Sequence, residues 1–237
     1  MSAFDAAFER ARDVDGWLTE AQARRLWESA RSLPPGGLVV EIGSFRGRST
    51  IVLASALADG AHLVAIDPHA GSDRGPREIA ADAARGQADH AAFIANLASA
   101  GVADRVQHVR ATSSRAHDQV DGEVDLLFVD GAHRFAPARD DLVRWGARVR
   151  DGGTMLVHDS FASIGVTLAT LASLTFGSRW RYVGRTGSLA EYRRDRLRGP
   201  ARAANAAWQL AQLPWFARNV AIKVLIVVRV LRRDWPY

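Results

Sequence analysis

A strand that runs into a glycine turn and then a helix constrains this 237-residue chain more than any other feature. Leu38-Val39-Val40-Glu41-Ile42 is an almost unbroken apolar run and reads as a buried parallel strand. Gly43 ends it, Gly47 follows after three residues, and a helical run starts near Ser49-Thr50-Ile51-Val52-Leu53-Ala54. Strand, glycine turn and helix N-terminus form the layout that cradles a nucleotide-like ligand. Glycine lets the backbone approach such a ligand with no Cβ between them. The spacing here is G-x-x-x-G, not the G-x-G-x-x-G that marks dinucleotide binding. Further on, His62-Leu63-Val64-Ala65-Ile66-Asp67 reads as a second strand ending in an acid, which can accept hydrogen bonds from both hydroxyls of a ribose. Each glycine alone is compatible with an ordinary turn, but the combination is far more specific.

The run E-I-G-S-x-x-G-x-S-T followed by A-I-D-P resembles class I S-adenosylmethionine-dependent methyltransferases. The nearest likeness is to the bacterial group that includes macrocin O-methyltransferase-like enzymes, over roughly Gly16 to Arg194. The resemblance implies a Rossmann-like α/β fold and a metal-dependent O-methyltransferase site. It implies S-adenosylmethionine as cofactor, held by Glu41, Gly43, Ser44, Gly47, Ser49, Thr50, Asp67, Thr112, Ser113 and Asp130.

The rest of the chain alternates strands and helices. Thr19-Glu20-Ala21-Gln22 reads as a capping box, and Ala23, Leu26, Trp27 and Ala30 then share one apolar helix face, placed to help close the cofactor site. Residues 69–90 are rich in Gly, Asp, Arg and Ala and read as a lid or a surface insertion, with helix resuming at Ala91. Val106–Val109 and Asp125–Asp130 read as the third and fourth strands, and Asp151-Gly152-Gly153 as a turn into a fifth, Thr154–Asp159. Arg179–Val183 and Ser188–Tyr192 flank Gly184-Arg185-Thr186-Gly187 as a hairpin. The expected architecture is a mostly parallel doubly wound sheet closed by an antiparallel hairpin, with a C-terminal helical tail.

Four strand ends bring polar groups to one rim: Glu41-Ile42-Gly43, Asp67, Asp130 and His158-Asp159. Asp130-Gly131-Ala132-His133 places an imidazole three residues beyond an acid. By the resemblance, Asp130 and Asp159 would hold Mg²⁺ or Mn²⁺, His158 would be a further ligand or its neighbour, and His133 would be the catalytic base. An imidazole titrating near ~6.5 can take a hydroxyl proton at neutral pH. Asp140-Asp141 reads as an exposed helix start. Among the other histidines only His69 is expected at a pocket wall; His62, His90, His108 and His117 read as structural or exposed.

Charge divides the chain at about residue 197. The formal net charge is +5, yet residues 197–237 carry seven basic residues against Asp234 alone, which leaves residues 1–196 near −1. The basicity therefore belongs to the tail and is no argument for nucleic acid on the core. Two units are expected: a methyltransferase domain over 1–196 and a basic amphipathic tail over 197–237. On a helical wheel Phe216, Val220, Val224, Val227, Val228 and Leu231 share a face opposite Arg218, Arg229, Arg232 and Arg233. That pattern fits peripheral contact with an anionic membrane surface, a dimer contact through 203–233, or packing on the chain's own domain. There is no cysteine, which fits a reducing cytoplasm, and Met1–Gly16 has no apolar run of the secretory kind. The expected activity is methyl transfer to a hydroxyl of a small polar acceptor, a sugar or glycoside among the candidates. The rivals are a dehydrogenase, which G-x-x-x-G disfavours, and a non-catalytic scaffold, which the presence of Asp130, His133 and Asp159 disfavours.

Overall fold

A computed structural model describes residues 1–72 and 80–227. Seven strands, β1 (Leu38–Ile42), β2 (His62–Ile66), β3 (Val106–Val109), β4 (Val124–Val129), β5 (Val149–Val157), β6 (Trp180–Thr186) and β7 (Leu189–Arg194), form one sheet in the order β3-β2-β1-β4-β5-β7-β6. The first five are parallel, and β7 runs antiparallel to both of its neighbours. The chain moves outward from β1 to β3 and then returns to the other side of β1 with β4. In an open α/β sheet such a reversal leaves a crevice beyond the carboxyl ends of the strands.

Side chains alternate across the sheet, so each strand feeds two cores. Val39, Leu63, Leu126, Phe128 and Leu156 pack with Phe4, Leu26, Leu53 and Phe93. These come from α1 (Ala3–Ala11), α2 (Glu20–Arg31), α3 (Arg48–Ala56) and α4 (Ala83–Ser99). Val40, Ile42, Val64, Leu127 and Met155 pack on the other side with Leu142, Trp145, Phe161 and Val166. There lie α5 (Phe135–Asp140), continued as a π turn over Asp141–Trp145, and α6 (Ile164–Thr170), continued over Leu171–Thr175. Two tail helices complete the chain's described part, α7 (Gly199–Leu210) and α8 (Leu213–Val227).

The capping box at Thr19 forms as expected, with Thr19 and Gln22 satisfying each other's backbone donors. Three boundaries differ from expectation. The hairpin turns at Gly187-Ser188 and not over Gly184–Gly187, because β6 runs on to Thr186, which pairs with Leu189. Helix α4 begins at Ala83, not Ala91, because the Asp82 carboxylate caps it by accepting from Arg85 N at 3.0 Å. His90 is therefore helical, and residues 73–79 of the expected lid lie outside the described residues. Asp151-Gly152-Gly153 is not a turn before β5 but an irregularity inside it: Val149 pairs with Val124 and Thr154 with Leu126, so the intervening residues of β5 bulge out. The face of α2 carrying Ala23, Leu26 and Ala30 is buried in the core shared with α3, and it is Trp17, ahead of that helix, that reaches the crevice.

The tail helices lie against the domain. Asn205 on α7 accepts from Tyr182 N at 2.7 Å and donates to Trp180 O at 3.1 Å, so an amide side chain stands in for a neighbouring strand at the free edge of β6. On α8, Asn219 donates to Phe161 O at 3.1 Å and Lys223 to Ala162 O at 2.9 Å. The face expected to be uniformly apolar is divided: Phe216 packs on the core while Val224 stands exposed. Val228, Arg229, Leu231, Arg232 and Arg233 lie outside the described residues.

Candidate functional site

A cavity of about 560 Å³ opens beyond the carboxyl ends of β1, β2 and β4, within the range of small-molecule sites. Of the expected cofactor residues, Gly43, Asp67, Thr112, Ser113 and Asp130 line it, and so do Trp17, His69, His133 and Asp141. Glu41, Ser44, Gly47, Ser49 and Thr50 do not.

Strand alternation explains where Glu41 goes. Its neighbours Val40 and Ile42 point into the core beneath α5 and α6, so Glu41 points toward α3. There it is fully buried and accepts from Ser49 Oγ and Thr50 Oγ1, both at 2.5 Å. Burial raises its carboxyl to about 7 against the pull of those two hydroxyls. The three residues thus bind the first turn of α3 to β1. The two glycines are also demanded by protein contacts. A Cβ on Gly43, at φ +86°, would lie 2.1 Å from Asp130 O, and one on Gly47, at φ +91°, would meet Phe93 at 3.2 Å. Gly43 lets β1 and β4 emerge side by side, and Gly47 lets the turn rest on α4.

Asp67 sits at the end of β2 as a backbone anchor. Its oxygens accept from Phe45 N at 2.8 Å and His69 N at 2.7 Å, which joins the β1–α3 turn to the loop after β2. Burial raises its pKa while these amides lower it. Beside it three imidazoles meet, a grouping that sequence reasoning missed. The rings of His69, His90 and His108 lie 5.0 to 5.1 Å apart between centroids, with Phe93 against His69 and His108. Burial depresses all three, His69 and His108 to about 4. Their positions in a loop, a helix and a strand carry no shared spacing by which the sequence could have joined them.

At the other end of the cavity Asp130 and His133 line the wall, and they meet His158 and Asp159, which are not among its lining residues. His133 Nε2 lies 2.9 Å from Asp159 Oδ2, and His158 Nδ1 lies 3.1 Å from Asp130 Oδ1 and 3.7 Å from Asp159 Oδ2. Asp159 reaches this position at φ +57°, in the turn just past the end of β5. Its hydrogen bond raises the pKa of His133. Burial would lower His158, but the charges of Asp130 and Asp159 outweigh it and hold that imidazole well above its ordinary value. Burial would likewise raise Asp159, but the two imidazoles hold it below the usual carboxylate range. Asp130, His133 and Asp159 can each turn a ligand atom toward a common point, all within 4.8 Å of one another. Two carboxylates and an imidazole form a donor set that suits a hard or borderline divalent cation.

Asp141 corrects an expectation. It is buried, not exposed at a helix start, because α5 starts at Phe135 and Asp141 falls where that helix widens into the π turn and faces the sheet.

Residues 40–160 match a family described as a methyltransferase domain. Solved structures with the same fold include the S-adenosylhomocysteine-bound methyltransferase PaMTH1 of Podospora anserina, at 18% identity and TM-score 0.59, covering 82% of this chain and 88% of that one. The O-methyltransferase TomG of Streptomyces achromogenes, in complex with S-adenosylmethionine, matches at 21% identity and TM-score 0.51 over 84% of this chain and 91% of that one. An O-methyltransferase of Bacillus cereus with S-adenosylhomocysteine bound matches at 14% identity and TM-score 0.53 over 82% and 91%.

Proposed function

Since this chain belongs to the methyltransferase domain family and has the class I methyltransferase fold, we propose that it is an S-adenosylmethionine-dependent O-methyltransferase acting on a hydroxyl of a small polar acceptor. The observation that carries the reading is the convergence of Asp130, His133 and Asp159 at one end of a cavity whose other wall holds Asp67. Asp67 would accept the ribose hydroxyls with the lone pairs that its two backbone partners leave free. When bound, S-adenosylmethionine supplies an electrophilic sulfonium methyl. Asp130 and Asp159, with His158 as a further ligand or its neighbour, would hold Mg²⁺ or Mn²⁺, which would lower the pKa of a bound hydroxyl.

His133 is the residue we assign as base. One ring nitrogen is engaged by Asp159, which leaves the other to accept the acceptor's hydroxyl proton. The Asp159 carboxylate then stabilises the imidazolium that forms, as the acid does in an acid–histidine–nucleophile relay. The deprotonated hydroxyl would be the nucleophile toward the methyl that the cofactor supplies, and holding the two in line would supply much of the rate. Sugar hydroxyls fit this scheme as acceptors. The test is calorimetric titration with S-adenosylmethionine and with NAD, followed by an acceptor panel with labelled S-adenosylmethionine, with and without divalent ions. Binding of NAD and not of S-adenosylmethionine would return the chain to the dehydrogenase class. Full turnover in excess chelator would remove the metal. His133→Ala is expected to lower turnover about 10²–10⁴-fold with cofactor affinity kept.

The tail supports a further part of the proposal, contact with an anionic membrane surface. Pro214, Ala217, Ala221, Val224 and Leu225 face outward on α8, and the sequence from Arg196 to Val227 has five basic residues and no acid. A second copy would bring like charges together, whereas anionic lipid complements them. Among the described residues no helix is long and apolar enough to cross a membrane. Co-sedimentation with phosphatidylglycerol vesicles, lost in Val224→Asp, is the expected result. A dimer that the same variant dissociates, with no vesicle binding, overturns it.

A further inference from the structure

Asp141 is the buried acid that the proposed chemistry leaves unused. It is 3% exposed and yet lines the cavity. It stands on a π turn, a departure from helical geometry that concentrates at functional sites. Ser113, in the loop after β3, is the neighbouring hydroxyl that favours the ionised carboxyl, and Trp145 Nε1 donates to Ser113 O at 3.1 Å, which fastens that loop to the π turn. A Cβ placed on Gly131 would lie 3.3 Å from Asp141 Oδ2, so a glycine leaves this oxygen its room. Among the described residues no salt bridge reaches Asp141; Arg144 pairs with Asp140 and acts on Asp141 only at longer range, and burial raises the Asp141 carboxyl to about 7. A buried carboxyl without a cation is costly, and a ligand's N–H donor offsets that cost.

The carboxylate has acceptor capacity to spare beside Ser113. Ile66, Ala132 and Pro137 also line the cavity and offer apolar surface to a flat ring. The part of S-adenosylmethionine that joins a flat apolar face to a neutral N–H donor is adenine. We infer that Asp141 accepts a hydrogen bond from the 6-amino group of adenine and makes the site selective for adenine over a 6-oxo purine, an inference that rests on the proposed cofactor. With the carboxyl ionised, which its pKa of about 7 requires the measurement to ensure by working well above that pH, a 6-oxo group would set an acceptor where adenine offers an N–H donor.

The test is calorimetry of the full chain with S-adenosylhomocysteine and with S-inosylhomocysteine. The wild type is expected to prefer the adenine ligand by about tenfold or more. Asp141→Asn is nearly isosteric and can donate to a 6-oxo group, so the preference should fall to about one without weakening the inosine ligand. An unchanged preference overturns the assignment, and so does an equal loss of both ligands, which would place the acid at the amino-acid end of the cofactor or make it a structural support. Should Asp141→Asn fail to melt cooperatively, Ser113→Ala serves in its place; it keeps the acid but removes its anchor, and it should lower the preference in the same direction, an unchanged ratio again counting against the assignment. If the folded wild type binds neither ligand, the cofactor reading itself fails and this inference with it.

Discussion

Gly43 shows how one hydrogen atom can decide two matters. It was expected to make room for a ligand, and it does line the cavity, but its Cβ position is already occupied by the Asp130 carbonyl. Gly43→Ala should therefore lower stability by about 1–3 kcal/mol in urea denaturation, even with no ligand present, because overpacking against backbone cannot relax by rotating a side chain. Glu41 is a similar case. Glu41→Leu would strand the hydroxyls of Ser49 and Thr50 in the core, and each buried unsatisfied group costs about 1–3 kcal/mol. The melting temperature should fall, while any loss of cofactor affinity should result from the displaced α3 turn.

At the scale of elements, the meeting of β2, β3 and α4 has a pH signature. His69, His90 and His108 face one another, with Asp67 and Arg110 as the nearby charges. Their folded pKa values lie below the unfolded value near ~6.5, so the unfolded chain binds more protons and these rings cost stability as pH falls from about 6.5 toward 4. Raised acids such as Asp67 and Glu41 act in the opposite sense, so the informative quantity is a difference. The stability of His69→Phe relative to wild type should be greater at pH 5 than at pH 7.5, as read from thermal melts at both. The edge of β6 supplies a second test. Asn205→Leu removes both of its hydrogen bonds to that strand and leaves Tyr182 N unpaired, and it should cost about 1–3 kcal/mol.

For the whole molecule, the tail is the part whose role changes most once its packing is known. The sheet is complete at Arg194, and its strand ladder needs no residue beyond that point. Yet Asn205 covers the sheet edge, Gln209 accepts from Thr175 Oγ1 at 3.1 Å, and Asn219 and Lys223 hold the turn after Asp159. Deleting residues 199–237 should therefore lower the melting temperature and loosen the Asp159 turn. A truncated chain that melts with the full-length protein would show the tail to be a passenger.

Local pattern was enough to determine the number and order of the strands, the capped helix at Thr19, the presence of a hairpin and the four polar strand ends, though not where β5 begins or where the hairpin turns, because alternation, caps and turn residues act within a few positions of one another. It also placed Asp130, His133, His158 and Asp159 together, since parallel strands of a doubly wound sheet deliver their carboxyl ends to one rim. Tertiary structure alone decided the rest. Which face Glu41 takes depends on the phase of β1 between two helical layers. The three-histidine contact joins residues from three elements, and the burial of Asp141 depends on where α5 begins and how its last turn widens. Asn205, Gln209 and Asn219 read as ordinary polar positions until the surfaces that need their amides are in place. Each of these outcomes turns on partners far away in the chain, and no short-range periodicity encodes them.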